Sequence, residues 1–205
     1  MGYLELQGAT TIGLVCKEGV ILASEKRVSW GHLLMSRSGK KVFKLTRNIG
    51  LAFAGLVSDM QALAREASAY ANLYNMENNR PISVKAAAKL IGNLLFQRRL
   101  YPLLMETIVG GVDEGGPSVY SLDPLGSVIP DKFVSAGSGA AIAMGLLEAE
   151  YREEMTLEEG ASLALKAIRS ASARDVTSGD GVDMLLLRHD GVEERFYPLK
   201  TPLKV

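Results

Sequence analysis

The sequence predicts an α+β protein, a four-layer αββα sandwich in which two antiparallel sheets face each other and each carries a helix pair outside. Two observations predict it. Strand patterns come first, then two helical stretches, more strands, two more helical stretches and closing strands, with hairpin-length connections and no alternating βαβ repeat. The four helical stretches also each carry an apolar stripe, and a stripe has to lie on something.

Residues 10–25 favour β structure around the turn Lys17-Glu18-Gly19 and read as a hairpin. A second pair, 41–45 and 49–55, is joined through Arg47-Asn48. Ser58-Asp59-Met60-Gln61 has the spacing of a capping box, followed at helical intervals by Met60, Leu63, Ala64, Ala67, Ala71 and Tyr74. Asn79-Arg80-Pro81 ends that helix, and 83–100 supplies a second with Ala87, Leu90, Ile91, Leu94 and Leu95 on its apolar side. These two helices are expected to cover a first sheet made from the opening strands. Strand patterns at 107–112, 118–122 and 133–135 suggest a second run of sheet, followed by helix at 140–152. Thr156-Leu157-Glu158-Glu159 caps a last helix striped by Ala161, Ala164, Leu165, Ile168 and Ala171, and strands at 182–188 and 193–197 close the chain.

With 205 residues and no linker-like stretch, a single domain is expected. Its 23 basic and 23 acidic residues balance, so no global field draws it to nucleic acid or to an anionic membrane. A single cysteine, Cys16, excludes an intrachain disulfide and fits a reducing compartment, and the distant His32 and His189 form no zinc pattern. Apolar runs fall short of a membrane span, and the first eight residues lack the features of a signal peptide. The cytoplasm is the expected location, without metal.

Taken singly, the polar residues have ordinary explanations. Lys40-Lys41 beside Gly39 could be a solvated turn, Ser138 a helix cap, Glu25 an exposed strand charge and Asp175 a helix-end turn residue, although the helix dipole disfavours a carboxylate there. Phe43 and Phe53 could be core aromatics. Together, however, Gly8-Ala9-Thr10-Thr11-Ile12-Gly13, Ala23-Ser24-Glu25-Lys26-Arg27, Gly39-Lys40-Lys41-Val42-Phe43, Ala54-Gly55-Leu56-Val57-Ser58-Asp59, Gly137-Ser138-Gly139 and Arg174-Asp175-Val176-Thr177-Ser178-Gly179-Asp180-Gly181 form an ordered set that resembles the proteasome β-subunit family, of the simple archaeal type. The resemblance runs from Gly8 to about Asp190 and implies the fold of the N-terminal-nucleophile hydrolases.

In that family a leader is removed to free a threonine whose hydroxyl attacks peptides and whose α-amine helps take its proton. By resemblance residues 1–8 are the leader and Gly8-Ala9 is its cleavage site, with residues 9–205 forming the domain proper. Lys41 would tune protonation at the nucleophile, Glu25 would fix Lys41, and Ser138, Asp175 and Ser178 would surround the α-amine. The Gly55 N–H would receive the oxyanion. Val28, Ser29, Gly39, Phe43, Phe53 and Val57 would form an apolar pocket favouring cleavage after hydrophobic residues. The implied partners are proteasome α subunits and other β subunits in stacked rings, a regulatory ATPase reached through the α ring, and protein or peptide substrates, with no cofactor.

The departure is Ala9, which has no hydroxyl and so can neither release the leader nor attack a substrate. Thr10 should face the opposite side of its strand and cannot replace it. Either a threonine has been replaced, leaving the precursor unprocessed, or the chain is a natural non-catalytic ring subunit. The intact supporting set favours replacement, since unneeded buried charge is often neutral or stabilising to lose. A third reading, another amidohydrolase of the same fold, is disfavoured by the combined Gly-Ser-Gly and Arg-Asp-x-x-Ser-Gly stretches.

Overall fold

The computed structural model describes residues 8–199. The leader reading therefore falls, except for Gly8, outside the described residues.

The chain forms strands β1 (Thr11–Cys16), β2 (Gly19–Glu25), β3 (Val28–Trp30), β4 (Leu33–Ser36), β5 (Val42–Lys44) and β6 (Ile49–Gly55), then helices α1 (Val57–Asn78) and α2 (Val84–Gln97). Strands β7 (Met105–Asp113), β8 (Gly116–Leu122), β9 (Ile129–Asp131) and β10 (Phe133–Ala136) follow, then α3 (Ala140–Glu150), α4 (Leu157–Ser172), β11 (Gly181–Arg188) and β12 (Gly191–Pro198). Two five-stranded antiparallel sheets have the orders β10-β1-β2-β11-β12 and β5-β6-β7-β8-β9.

Side-chain alternation along single strands builds the layers. Ile49, Leu51 and Phe53 of β6 pack under α1 and α2. Ala52 and Ala54 of the same strand point the other way, into the space between the sheets. In the sheet containing β2 and β11, Ile21 and Ala23 of β2 with Met184 and Leu186 of β11 face α3 and α4. Their neighbours Val20, Leu22, Leu185 and Leu187 face the sheet containing β6. Three separate apolar cores between four layers are the predicted sandwich. Glycine lets the two sheets close on each other, because a Cβ at Gly110 would lie 2.8 Å from Val20 Cγ1 and one at Gly50 2.9 Å from Leu185 Cδ1.

Four expectations need correction. The sheets are not built from successive runs: the opening hairpin pairs with the closing strands, while β5 and β6 continue into β7. Hydrophobic alternation identifies a strand's two faces but not its neighbour. The Ser58 capping box does not form, since α1 starts at Val57 behind Leu56 with no side-chain cap. Asp59, in the first turn, accepts the Leu104 N–H at 2.9 Å. The hairpin β3-β4 and the short β9 add to the expected strands, because neither carries a clear alternation in its sequence. Finally, α3 stops at Glu150 because Tyr151 adopts extended backbone and donates its hydroxyl to the Val15 carbonyl at 3.0 Å, and α2 stops three residues before position 100.

Asn79 does end α1 in the left-handed conformation, at φ 50°. The Thr156–Glu159 capping box is complete in both directions. Thr156→Ala is expected to cost about 1 kcal/mol in chemical denaturation. Ser58→Ala should stay within about 0.5 kcal/mol of the parent; equal losses would contradict this assignment of caps.

Candidate active site

Strand order brings distant segments to one end of the sandwich. Val182 at the start of β11 lies opposite Glu25 at the end of β2, and Thr11 at the start of β1 lies between Ser24 and Ala136. The residues around 9, 25, 137 and 175–181 therefore share one edge, with Lys41 entering from just before β5.

Lys41 is 2% exposed and Glu25 1%. Such burial of opposite charges is tolerable only with close pairing and further hydrogen bonds, and both are present. The Lys41 ammonium donates to Glu25 Oε1 and, at 2.6 Å, to the Arg27 carbonyl. Glu25 Oε2 accepts the N–H groups of Arg27 at 2.6 Å and Gly179 at 3.0 Å. Burial pushes the Glu25 carboxyl up and the Lys41 ammonium down from their ordinary values, and each partner's charge pulls the other back. A lysine held below its usual range is suited to proton exchange nearer neutral pH.

Ala9 is fully buried, with its side chain in the cluster between the sheets beside Val42, Ala52 and Ala54. Its nitrogen, here the amide of the Gly8-Ala9 peptide, donates to Ser138 Oγ at 3.2 Å, and its carbonyl accepts the Gly139 N–H at 3.2 Å. The Gly137-Ser138-Gly139 turn thus wraps this peptide, and a Cβ at Gly137 would lie 2.3 Å from the Ala9 oxygen. Any Cβ at Gly8 would lie 1.7 Å from Thr177 Oγ1, so this packing admits only glycine before Ala9.

Asp175 collects the hydroxyls. Its Oδ2 accepts from Ser138 at 2.6 Å and Ser178 at 2.7 Å, and its Oδ1 accepts from the Thr177 hydroxyl at 2.7 Å and N–H at 3.0 Å. Burial alone would raise this carboxyl, but the hydroxyls of Ser138, Ser178 and Thr177 outweigh it and hold it below the usual range. Thr10 Oγ1 lies 2.8 Å from Ser178 Oγ. Since Ser178 spends its proton on Asp175, Thr10 is the donor. Thr10 therefore faces away from the inter-sheet side occupied by Ala9, as strand alternation requires, while Thr11 donates to the Phe53 carbonyl at 2.7 Å on the opposite face. A carboxylate ringed by hydroxyls beside the nitrogen of residue 9 can hold and relay protons there.

Gly55 ends β6 at φ 133°, where a side chain is strained, and a Cβ there would sit 2.3 Å from the Leu104 carbonyl. Among the six pocket candidates, Val28 and Gly39 touch, with a Gly39 Cβ position 2.3 Å from Val28 Cγ2. The Phe43 and Phe53 rings are 5.8 Å apart, but Phe53 is wholly buried under α1 and α2, behind the half-buried Phe43. Val57 is the half-buried first residue of α1. Ser29 lies in a different cleft of about 370 Å³ with Arg27, His32, Arg37 and Val176.

Sequence reasoning missed Thr177 and Thr10 as members of the hydroxyl network and Arg27 as the main-chain support of the ion pair. All three lie inside stretches already singled out. The repeated hydroxyls at Thr177-Ser178 offered a signal for the first, whereas main-chain contacts offer none.

Removing Lys41 leaves Glu25 buried without its cation. Lys41→Met is expected to cost roughly 3–5 kcal/mol near neutral pH. Glu25, already raised, rises further in the variant, so the folded state binds a proton that the unfolded state releases above its ordinary value of about 4.3. Stability of the variant should consequently recover as pH falls from 8 toward 5, more steeply than in the parent, in urea titrations at several pH values. A pH-independent loss would contradict an uncompensated Glu25.

Comparison with known proteins identifies the family. A family model described as proteasome subunit matches residues 5–187. The chain is 46% identical to proteasome subunit beta 2 of Thermofilum pendens, over 96% of each chain. It is 49% identical to proteasome subunit beta 2 of Caldivirga maquilingensis, over 93% of this chain and 96% of that one. With proteasome subunit beta of Methanothermobacter thermautotrophicus it shares 46% identity, over 86% and 84%. The protein whose site this is belongs to the proteasome subunit family, as a β-type member of the archaeal kind.

Proposed function

We propose that this chain carries a threonine-peptidase site complete except for its nucleophile, and that it works in protein degradation inside a ring-stacked, self-enclosed particle. β subunits of the family are in general threonine proteases that assemble with α subunits in stacked rings. The observation that carries the finer reading is the buried Lys41–Glu25 pair facing an intact hydroxyl network at the residue-9 nitrogen. A subunit with no use for that charge would gain by replacing it with apolar side chains.

With threonine at position 9 and residues 1–8 removed, the freed amine would take the place of the present amide beside Ser138. The hydroxyl would replace part of the Ala9 methyl environment, lose its proton toward that amine under the field of Lys41, and attack the peptide carbonyl. The Gly55 N–H would meet the developing oxyanion. Val28, Gly39, Phe43 and Val57, backed by Phe53, would receive an apolar side chain, since no acidic residue stands among them to pair a cation. Ala9 itself can do none of this, so the leader remains attached and this chain is inactive. The chain would act in the cytoplasm, with unfolded protein delivered by an ATPase docked on the α ring, and without cofactor.

A second reading is a natural structural member of a mixed β ring. Relatives named proteasome subunit beta 1 and beta 2 support it by pointing to more than one β-type chain in such organisms.

Ala9→Thr, assembled with α subunits, separates the two. The first reading expects the intact mass to fall by residues 1–8 and a peptide with a hydrophobic residue before the scissile bond to be cut. Adding Lys41→Ala should abolish both. Normal rings that keep the leader and cut nothing would leave the structural reading standing.

A further inference from the structure

We propose that the Arg27–Asp180 ion pair is a positioning clamp, holding the Lys41–Glu25 pair in register with the Asp175 hydroxyl network. The proposal rests on the threonine-peptidase reading above.

Both members of the buried pair lean on the main chain of one residue. Lys41 donates to the Arg27 carbonyl, and Glu25 accepts the Arg27 N–H. Arg27 lies between β2 and β3, outside either ladder, and spends both its peptide groups on the ion pair. Its side chain supplies an anchor. Nε donates to Asp180 Oδ2 at 2.8 Å and a terminal nitrogen to the Val176 carbonyl at 2.8 Å. Those acceptors belong to the loop that carries Asp175, Ser178 and Gly179. The guanidinium also lies against Gly179, where a Cβ would be 2.5 Å from its Nη2. One side chain thus spans the two halves of the site.

Asp180 is shaped for the task. It holds φ 71°, a left-handed conformation that most residues other than glycine, asparagine and aspartate avoid, and its side chain is 3% exposed. In that conformation its two oxygens receive Arg27 and Arg37. Salt bridges that are merely exposed contribute little, but this carboxylate is enclosed, and each of its oxygens takes one guanidinium nitrogen, Arg27 Nε on Oδ2 and Arg37 Nη1 on Oδ1. Loss of the clamp lets residues 25–27 and 175–180 drift relative to each other, and displacement of reacting groups by about 1 Å can cost a hundredfold in rate. Arg27 touches neither substrate nor nucleophile in this scheme, so substrate binding is largely spared.

The test uses Ala9→Thr rings carrying Arg27→Gln, Asp180→Asn, both, or Arg27→Lys. Expected are a kcat lower by about tenfold to a hundredfold at a KM within about twofold, and parallel slowing of leader removal, with the kcat losses across the variants not tracking any fall in melting midpoint. The double variant should be no worse than the worse single one, and Arg27→Lys should recover only part, because lysine lacks the planar array whose separate nitrogens reach Asp180 and Val176. Unchanged kcat, or additive losses that follow a falling melting midpoint, would overturn the clamp. If Ala9→Thr itself is inactive, the peptidase reading has failed, and hydrogen exchange on the Ala9 chain still decides the clamp. Arg27→Gln should speed exchange at the residue 27 and 179 amides at least about tenfold while β7 amides keep their protection. Unaltered exchange at those two amides would overturn it.

Discussion

Most of the functional end of this molecule follows from the need to keep one ion pair dry. Lys41 and Glu25 are both withdrawn from water, and neither charge would be tolerated without the other and without additional donors and acceptors. Glu25 sits at the last position of β2, Lys41 one residue before β5, and their extra partners at Arg27 and Gly179 flank the starts of β3 and β11. Four chain segments from both sheets are thereby fixed to one another. The antiparallel pairing of β2 with β11 delivers the Asp175–Gly181 loop to this spot. A sheet assembled from successive strands alone could not.

Residue 9 lies between that dry pair and the hydroxyl network around Asp175. Its methyl belongs to the core between the sheets, while its nitrogen and carbonyl are held by the Gly137-Ser138-Gly139 turn. The same turn and Thr177 leave no space for a side chain at Gly8. Local packing therefore fixes the peptide at the 8–9 junction.

Periodicity made the four layers legible, because each helix stripe and each alternating strand reports which of its faces is apolar. The Thr156–Glu159 cap and the Asn79 stop were equally plain, being local chemistry. What stayed hidden was non-local. Partner choice among strands separated β1 and β2 from β5 and β6, and the chain enters α1 one residue early, at Val57, so Ser58 falls inside the helix rather than at its cap. At the site, side-chain roles could be expected from the ordered stretches, but Arg27 acts through its peptide groups and Phe53 through a core it shares with α1 and α2. Neither is marked by residue type.

If position 9 needs only a hydroxyl to complete the site, a crystal structure of assembled Ala9→Thr rings should show it. The expected chain begins at the introduced threonine, with its Oγ within about 3 Å of Lys41 Nζ and its amine beside Ser138, and with the Lys41–Glu25 pair and the Asp175 network where they stand now. A hydroxyl turned away from Lys41, or an ion pair displaced to make room for it, would contradict a site that lacks its nucleophile alone.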